Sequence, residues 1–226
     1  GAMKKKTRQT NVWSGAFGKE YTKRNDFSCA EMDALYEKNY GITRTAMNAE
    51  FIGSLPRDLS ILEVGANIGT QLLSLQEMGF TNLSGIELQE YAVREARERT
   101  KNIAIVEGSA FDIPFERGSF DLVFTSGVLI HIAPADIRTA LSEIHRCARK
   151  FIWGFEYFAP KYTEVPYRGN KGLLWKTDFA RLYTDTWKDL RLVILAIIGR
   201  AEIDRALVQP GHQVGRRLGQ PRLGIA

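Results

Sequence analysis

Ile61-Leu62-Glu63-Val64-Gly65-Ala66-Asn67-Ile68-Gly69-Thr70-Gln71-Leu72 decides the reading of this chain. The stretch opens with apolar residues that read as a buried strand. It turns through two glycines and enters Leu72-Leu73-Ser74-Leu75, which reads as the start of a helix. Glycine has no Cβ, so the chain can turn sharply there and a ligand can approach the backbone. The free N–H groups of a helix start lie just beyond. In a parallel α/β sheet, such a strand–glycine loop–helix unit holds a nucleotide-like ligand at the carboxyl ends of the strands. The spacing Glu63-x-Gly65-x-x-x-Gly69 is not the G-x-G-x-x-G of dinucleotide enzymes, which disfavours a dehydrogenase.

Three further segments extend the pattern. Leu83-Ser84-Gly85-Ile86-Glu87-Leu88 reads as a second strand ending in an acid, and a carboxylate at that position can accept both hydroxyls of a ribose. Residues 103–108 read as a third strand and Phe120 to Ser126 as a fourth. Taken together, Ile61 to Phe158 resembles the class I S-adenosylmethionine-dependent methyltransferases. That resemblance implies a doubly wound, mostly parallel Rossmann-like α/β sheet, S-adenosylmethionine as cofactor and S-adenosylhomocysteine as product. It places Glu63, Gly65, Asn67 and Gly69 at the methionine moiety, Glu87 and Leu88 at the ribose, and Ser109, Ala110 and Phe111 at the adenine. Ser126, at the end of the fourth strand, completes the expected cofactor site. Ser109 stands where such proteins often carry an acid. A hydroxyl still hydrogen-bonds an amino group there, with less charge assistance.

Length and composition set the bounds. The chain has 226 residues, 44% hydrophobic and 25% charged, an ordinary balance for one domain with a sizeable core. The net charge of +5 is mild, and part of it comes from Lys4-Lys5-Lys6 and from the arginines of the tail. It is weak evidence for nucleic acid and equally suits a protein that handles acidic small molecules. Two cysteines, Cys29 and Cys147, sit in no metal-binding spacing, so no metal site is expected and reduced thiols in a cytoplasmic protein are. Leu190 to Ile198 is about half the length a bilayer span needs, so no membrane partner is expected. Gly1-Ala2-Met3 looks like the remnant of a cleaved tag and is set aside.

The expected organisation is a disordered basic start (1–9), an N-terminal aromatic and helical lid (10–55), a methyltransferase domain (56–198) and a divergent, disordered tail (199–226). Between Thr10 and Asn25 aromatics alternate with glycines and no helical or strand period persists. This arm either packs on the domain or covers an apolar cofactor and excludes water, with Tyr21 and Arg24 as its candidate cofactor contacts. Glu31 to Leu55 carries apolar residues at helical spacing, broken near Gly41, and Gly79 is expected to end the helix after the glycine loop. Beyond Gly199 the chain is rich in Gly, Arg, Gln and Pro with little periodicity, which reads as disorder.

Downstream of the fourth strand, Ser126-Gly127-Val128-Leu129-Ile130-His131 brings the histidine best placed to meet a substrate. His131 is either structural or the base that takes a proton from a hydroxyl nucleophile, its ordinary pKa lying near neutrality. A fifth strand ends in Glu156, the second candidate base, and Tyr157. Tyr167, Arg168 and Lys171 follow in a loop of glycines, aromatics and cations that either binds a carboxylate or is simply solvated.

The segments Trp13-x-Gly15-x-Phe17-Gly18-x-x-Tyr21-x-x-Arg24-Asn25, Gly127-Val128-Leu129-Ile130-His131-Ile132 and Tyr167-Arg168-Gly169 ahead of Leu174-Trp175-Lys176-Thr177-Asp178-Phe179-Ala180 narrow the resemblance. They are similar to the pseudaminic acid biosynthesis-associated methylases of bacteria. This implies methyl transfer to an oxygen or nitrogen of a nonulosonic sugar or its nucleotide-activated form, with Tyr157, Tyr167, Arg168 and Lys171 as substrate contacts. The rival readings are an RNA or other small-molecule methyltransferase and a non-catalytic methyltransferase-like binding protein. No RNA-binding module accompanies the motifs, so no nucleic acid is expected.

Overall fold

The computed structural model describes residues 7–198 and 203–210. The chain divides into two compact units between Glu116 and Arg117.

The first unit begins with four helices: α1 (Arg8–Ser14), α2 (Ala16–Arg24), α3 (Cys29–Tyr40) and α4 (Arg44–Ile52). Then β1 (Ser60–Val64), α5 (Thr70–Glu77), β2 (Asn82–Glu87), α6 (Glu90–Arg99) and β3 (Ile103–Glu107) alternate. The strands run in the order β3-β2-β1 and all are parallel, with Val64 beside Ile86 and Glu87 beside Glu107. This register puts the carboxyl ends of β1 and β2 at one edge. A parallel pair needs a crossover connection, and the helical periods between the strands supply it. Gly85 lets the glycine loop and α5 pack closely on β2. A Cβ there would lie 2.7 Å from Cβ of Ala66 and 2.9 Å from Leu72.

The second unit holds β4 (Phe120–Ser126), a 3₁₀ turn (Leu129–His131), α7 (Ile137–Cys147), β5 (Ala148–Tyr157), β6 (Thr163–Glu164), β7 (Trp175–Lys176), α8 (Phe179–Thr186), β8 (Leu190–Ile198) and β9 (Ile203–Pro210). Its strands run β4-β5-β9-β8, the first pair parallel and the rest antiparallel. Strands β6 and β7 pair separately as a short hairpin. His145 on α7 is tied at 3.0 Å to Asp189 and stacks on Trp187.

Helices α3 and α4 part at Gly41, whose φ of +73° ends α3, and Gly79 takes φ +95° just past α5. Two expectations are corrected. The arm is helical: Thr7 caps α1, and Gly15 separates α1 from α2. Trp13, Phe17 and Tyr21 are four residues apart and gather on one side, with Trp13 edge-on to both partners at 5.3 and 5.1 Å. Helices of seven and nine residues are too short to show a period, and Gly18 packs tightly against the backbone of Trp13. A Cβ on Gly18 would fall 1.7 Å from the Trp13 carbonyl oxygen. Likewise residues 203–210, expected within a disordered tail, form β9 through pairing with β5 and β8. Of the disordered start, residues 7–9 belong to α1 and its cap, while 1–6 lie outside the described residues, as do 199–202 and 211–226 of the tail.

Candidate functional site

In the first unit the glycine loop leaves β1 with Gly65 at φ +78°, Asn67 at +48° and Gly69 at +83°. The N–H groups of Gly65 and Ala66 both donate to the Ile86 carbonyl at 2.9 Å, which ties the loop to the end of β2. Left-handed backbone suits glycine and is tolerated by asparagine. Gly69 is doubly constrained, since a Cβ would also sit 3.1 Å from Thr100 Cγ2.

Glu87, at the end of β2, organises this edge. One carboxylate oxygen accepts the N–H of Asn67 at 2.8 Å and the other accepts the N–H of Gln89 at 2.9 Å. Burial pushes its pKa up, and the backbone N–H groups of Gln89, Asn67 and Leu88 pull it back. Three N–H donors take three of its four lone pairs, which leaves one for a hydroxyl. Glu63, in β1 two residues before Gly65, is 2% exposed, and its Oε2 has no hydrogen-bond partner. Burial raises its carboxyl to about 8, partly offset by Arg44 and reinforced by Glu87. Ser109 is buried after β3, where its hydroxyl accepts the N–H of Phe111 at 3.1 Å and shapes the turn; Ala110 and Phe111 are half-buried beside it. Ala110, Phe111 and Leu88 thus stand at the same carboxyl edge as Glu87.

Sequence reasoning missed two residues at this edge. Thr22 of α2 is buried, with Oγ1 2.8 Å from Gln89 Oε1 and 2.9 Å from the Asn67 side-chain amide. Gln89 donates to the Gly15 carbonyl at 3.4 Å, which turns its own carbonyl oxygen toward Thr22. One hydroxyl proton serves one acceptor, so Thr22 donates to Gln89, and an Asn67 amide turned to present its nitrogen satisfies the rest. The arm is therefore hydrogen-bonded to both the glycine loop and the residue after β2. A threonine within a short polar helix gives no sequence signal of this. Tyr21 packs half-buried against Trp13, and Arg24 is exposed.

In the second unit Glu156 is 2% exposed and lies under the turn that carries His131. It accepts the N–H groups of Val128 and Leu129, each at 3.2 Å, and of Ile130 at 3.4 Å. Burial lifts it to about 7 against these bonds and one from Thr125. This engagement makes it a holder of the turn rather than a base reaching for a substrate. Tyr183 of α8, buried and without a hydroxyl partner, lies in the field of Glu156, which adds to the burial that holds its phenol well above the ordinary range. His131 Nδ1 lies 2.8 Å from the Leu173 carbonyl oxygen, which fixes the tautomer with the proton on Nδ1 and the lone pair on Nε2. Burial lowers its pKa to about 4, not the near-neutral value expected from the residue type.

The Tyr167 ring meets the His131 ring edge-on at 5.3 Å. Tyr167 and Asn170 pair across a two-residue turn in which Arg168 (φ +50°) and Gly169 (φ +75°) are both left-handed. Arg168 is thus presented at a tip, its guanidinium 5.7 Å from the Tyr167 ring, and Lys171 is exposed next to it. Tyr157 ends β5 half-buried under Lys176, whose ammonium is 5.6 Å from the ring, and Ser126 ends β4 half-buried. Among the described residues no His, Cys, Asp and Glu cluster could hold a metal ion, and no helix is long and apolar enough to cross a membrane.

Residues 61–150, which span the glycine loop, Glu87 and the turn after β4, match the family described as a methyltransferase domain. This stretch therefore carries a methyltransferase domain. An uncharacterized methyltransferase, sll0829, of Synechocystis is 31% identical over 86 residues, covering 38% of this chain and 40% of that protein. The demethylmenaquinone methyltransferase of Beutenbergia cavernae is 30% identical over 131 residues, 58% of this chain and 50% of that protein. The chain therefore spans less than two thirds of either relative. In fold it is similar to the 1,6-didemethyltoxoflavin-N1-methyltransferase of Burkholderia thailandensis, solved with 1,6-didemethyltoxoflavin and S-adenosylhomocysteine bound. There the TM-score is 0.66 at 16% identity, over 89% of this chain and 88% of that one. At that identity the likeness speaks for the Rossmann-like fold alone.

Proposed function

We propose that the protein transfers the methyl group of S-adenosylmethionine to an oxygen or nitrogen of a small acidic acceptor. The observation that carries the cofactor part is Glu63, a buried carboxyl with an orphaned oxygen beside a glycine loop. An unpartnered buried acceptor asks for a donor, and the α-ammonium of a methionine moiety is one. The chain's residues fit the rest of the group as well. Glu87 has a lone pair to spare for a ribose hydroxyl, and Ser109, Ala110 and Phe111 offer a hydroxyl and a flat face for adenine.

When bound, the cofactor supplies a methyl already activated by a positive sulfur. The protein's work is then alignment and exclusion of water, worth up to roughly 7–11 kcal/mol in well-oriented cases. Tyr21, Arg24 and the rest of the arm, latched by Thr22, would cover the glycine loop. His131, neutral at physiological pH with its Nε2 lone pair set by the Leu173 bond, would accept the proton of a hydroxyl acceptor. A conjugate acid near 4 makes it a weak base, so its rate contribution belongs at the low end of about 10²–10⁴. Ser126 and Tyr157, at the ends of β4 and β5, remain candidate contacts. Arg168, an exposed cation beside the Tyr167 ring, and the exposed Lys171 support an acidic acceptor, for which a nonulosonic-type sugar, free or nucleotide-activated, is the leading candidate.

The test is calorimetric titration with S-adenosylmethionine of the wild type and of Glu87→Ala, followed by methylation assays on acidic sugars. Micromolar binding, about −8 kcal/mol, that is lost in the variant supports the reading. Equal binding by both proteins overturns the assignment of Glu87.

A further inference from the structure

Glu63 has an unusual companion. Arg44, the first residue of α4, is 1% exposed. Its Nε donates to Asn48 Oδ1 at 2.9 Å, a terminal nitrogen lies 3.5 Å from the Tyr36 hydroxyl, and the guanidinium stands 5.7 Å from the Tyr36 ring. Asn48 in turn donates to Ser74 of α5 at 3.3 Å. The network immobilises a full positive charge inside the first unit. Two charged groups act on Glu63: Arg44 from α4 favours its ionised form, and Glu87 from β2 opposes it.

A carboxylate with an unsatisfied oxygen does not remain ionised in a low-dielectric interior; it binds a proton. An ammonium ion arriving at that oxygen reverses the preference, since charge and hydrogen bond then both favour the carboxylate. We infer that cofactor binding expels one proton from Glu63, and that Arg44 is the positioning residue whose fixed charge lets the buried carboxylate form. The exchange balances. The protonated carboxyl meets the ammonium, its O–H proton leaves to solvent, and a carboxylate–ammonium pair remains. The inference rests on the cofactor reading above. It adds that Glu63 is neutral when the site is empty and becomes ionised by the ligand, so affinity depends on pH through a group remote from the reacting methyl.

With Glu63 near 8, affinity should rise about tenfold per pH unit below that value and level off above it. The experiment is calorimetric titration of the full chain with S-adenosylhomocysteine at pH 6.5, 7.5 and 8.5. Each run is made in phosphate and in Tris, whose ionisation heats differ, so the difference counts protons. We expect release of about one proton at pH 6.5 and about a quarter at pH 8.5. Glu63→Gln, which has no proton to lose, should remove this release and leave only the ligand's own titration. Arg44→Met should shift the release profile to higher pH and weaken binding at pH 7.5, with Arg44→Lys restoring part of both. A merely structural role for Arg44 would lower the melting temperature without moving that profile. Wild-type heats that do not depend on buffer at pH 6.5, or a Glu63→Gln variant that releases as many protons as the wild type, overturn the inference and leave the cofactor reading standing. No heat at any pH, with no protection against thermal unfolding, overturns both.

Discussion

Replacing Glu156 with Gln separates two contributions of one buried side chain. The amide keeps one acceptor oxygen, enough for the N–H groups of Val128 and Leu129, which share Oε1 in the native structure. Its NH₂ then faces the Ile130 N–H, the longest of the three bonds at 3.4 Å. A buried donor left without an acceptor costs about 1–3 kcal/mol, so at pH 5 the variant is less stable by that amount. The wild type has an opposite liability. Its carboxyl titrates at about 7 when folded against an ordinary value of 4.5, so the native state holds the proton more tightly than the unfolded chain does. Stability is therefore complete below pH 4.5 and is lost as pH rises through 7, by roughly 3 kcal/mol over the window. The amide has no such loss. Urea unfolding of both proteins at pH 5, 6, 7 and 8 should show the gap between them closing by about 2.5 kcal/mol, and vanishing or changing sign by pH 8. Glu63 titrates in an overlapping window but is common to both proteins and cancels. A gap that stays constant from pH 5 to 8 would refute the assignment of a raised pKa to Glu156.

Three other outcomes follow from the same geometry. His131→Ala should lower kcat about 100-fold with little change in KM, and the wild-type pH–rate profile should show no inflection from His131 above about pH 5; a loss of only a few-fold removes it as the base. Arg168→Gly relieves a left-handed backbone that costs an arginine about 1–2 kcal/mol, so it should raise the unfolding midpoint while raising KM for an acidic acceptor; an unchanged KM would remove Arg168 from substrate binding. Thr22→Val leaves Asn67 and Gln89 without their shared hydroxyl, and should weaken cofactor binding about tenfold and speed hydrogen exchange in α2; unaltered exchange would mean that the latch does not hold the arm.

The parts of this protein legible in the sequence are those governed by neighbours along the chain. Alternating strands and helices from Ser60 to Tyr157, the break at Gly41, the stop at Gly79 and the loop from Gly65 to Gly69 follow from hydrophobic period and from glycine's freedom at positive φ. So does the placing of Glu63 and Glu87 at strand ends, because a parallel strand delivers its last residues to the edge where ligands bind. What the tertiary structure alone decided is long-range. Helix α2 is held by Thr22 against residues 45 and 67 positions away, and β9 exists through its pairing with β5 and β8. The chemistry of the acids and of His131 belongs here too. Residue type specifies an ordinary pKa, but desolvation and fixed charge are sums over everything packed around a group. Those sums turn His131 into a permanently neutral ring, make Glu156 the support of its turn, and leave Glu63 poised to exchange a proton for a ligand's charge.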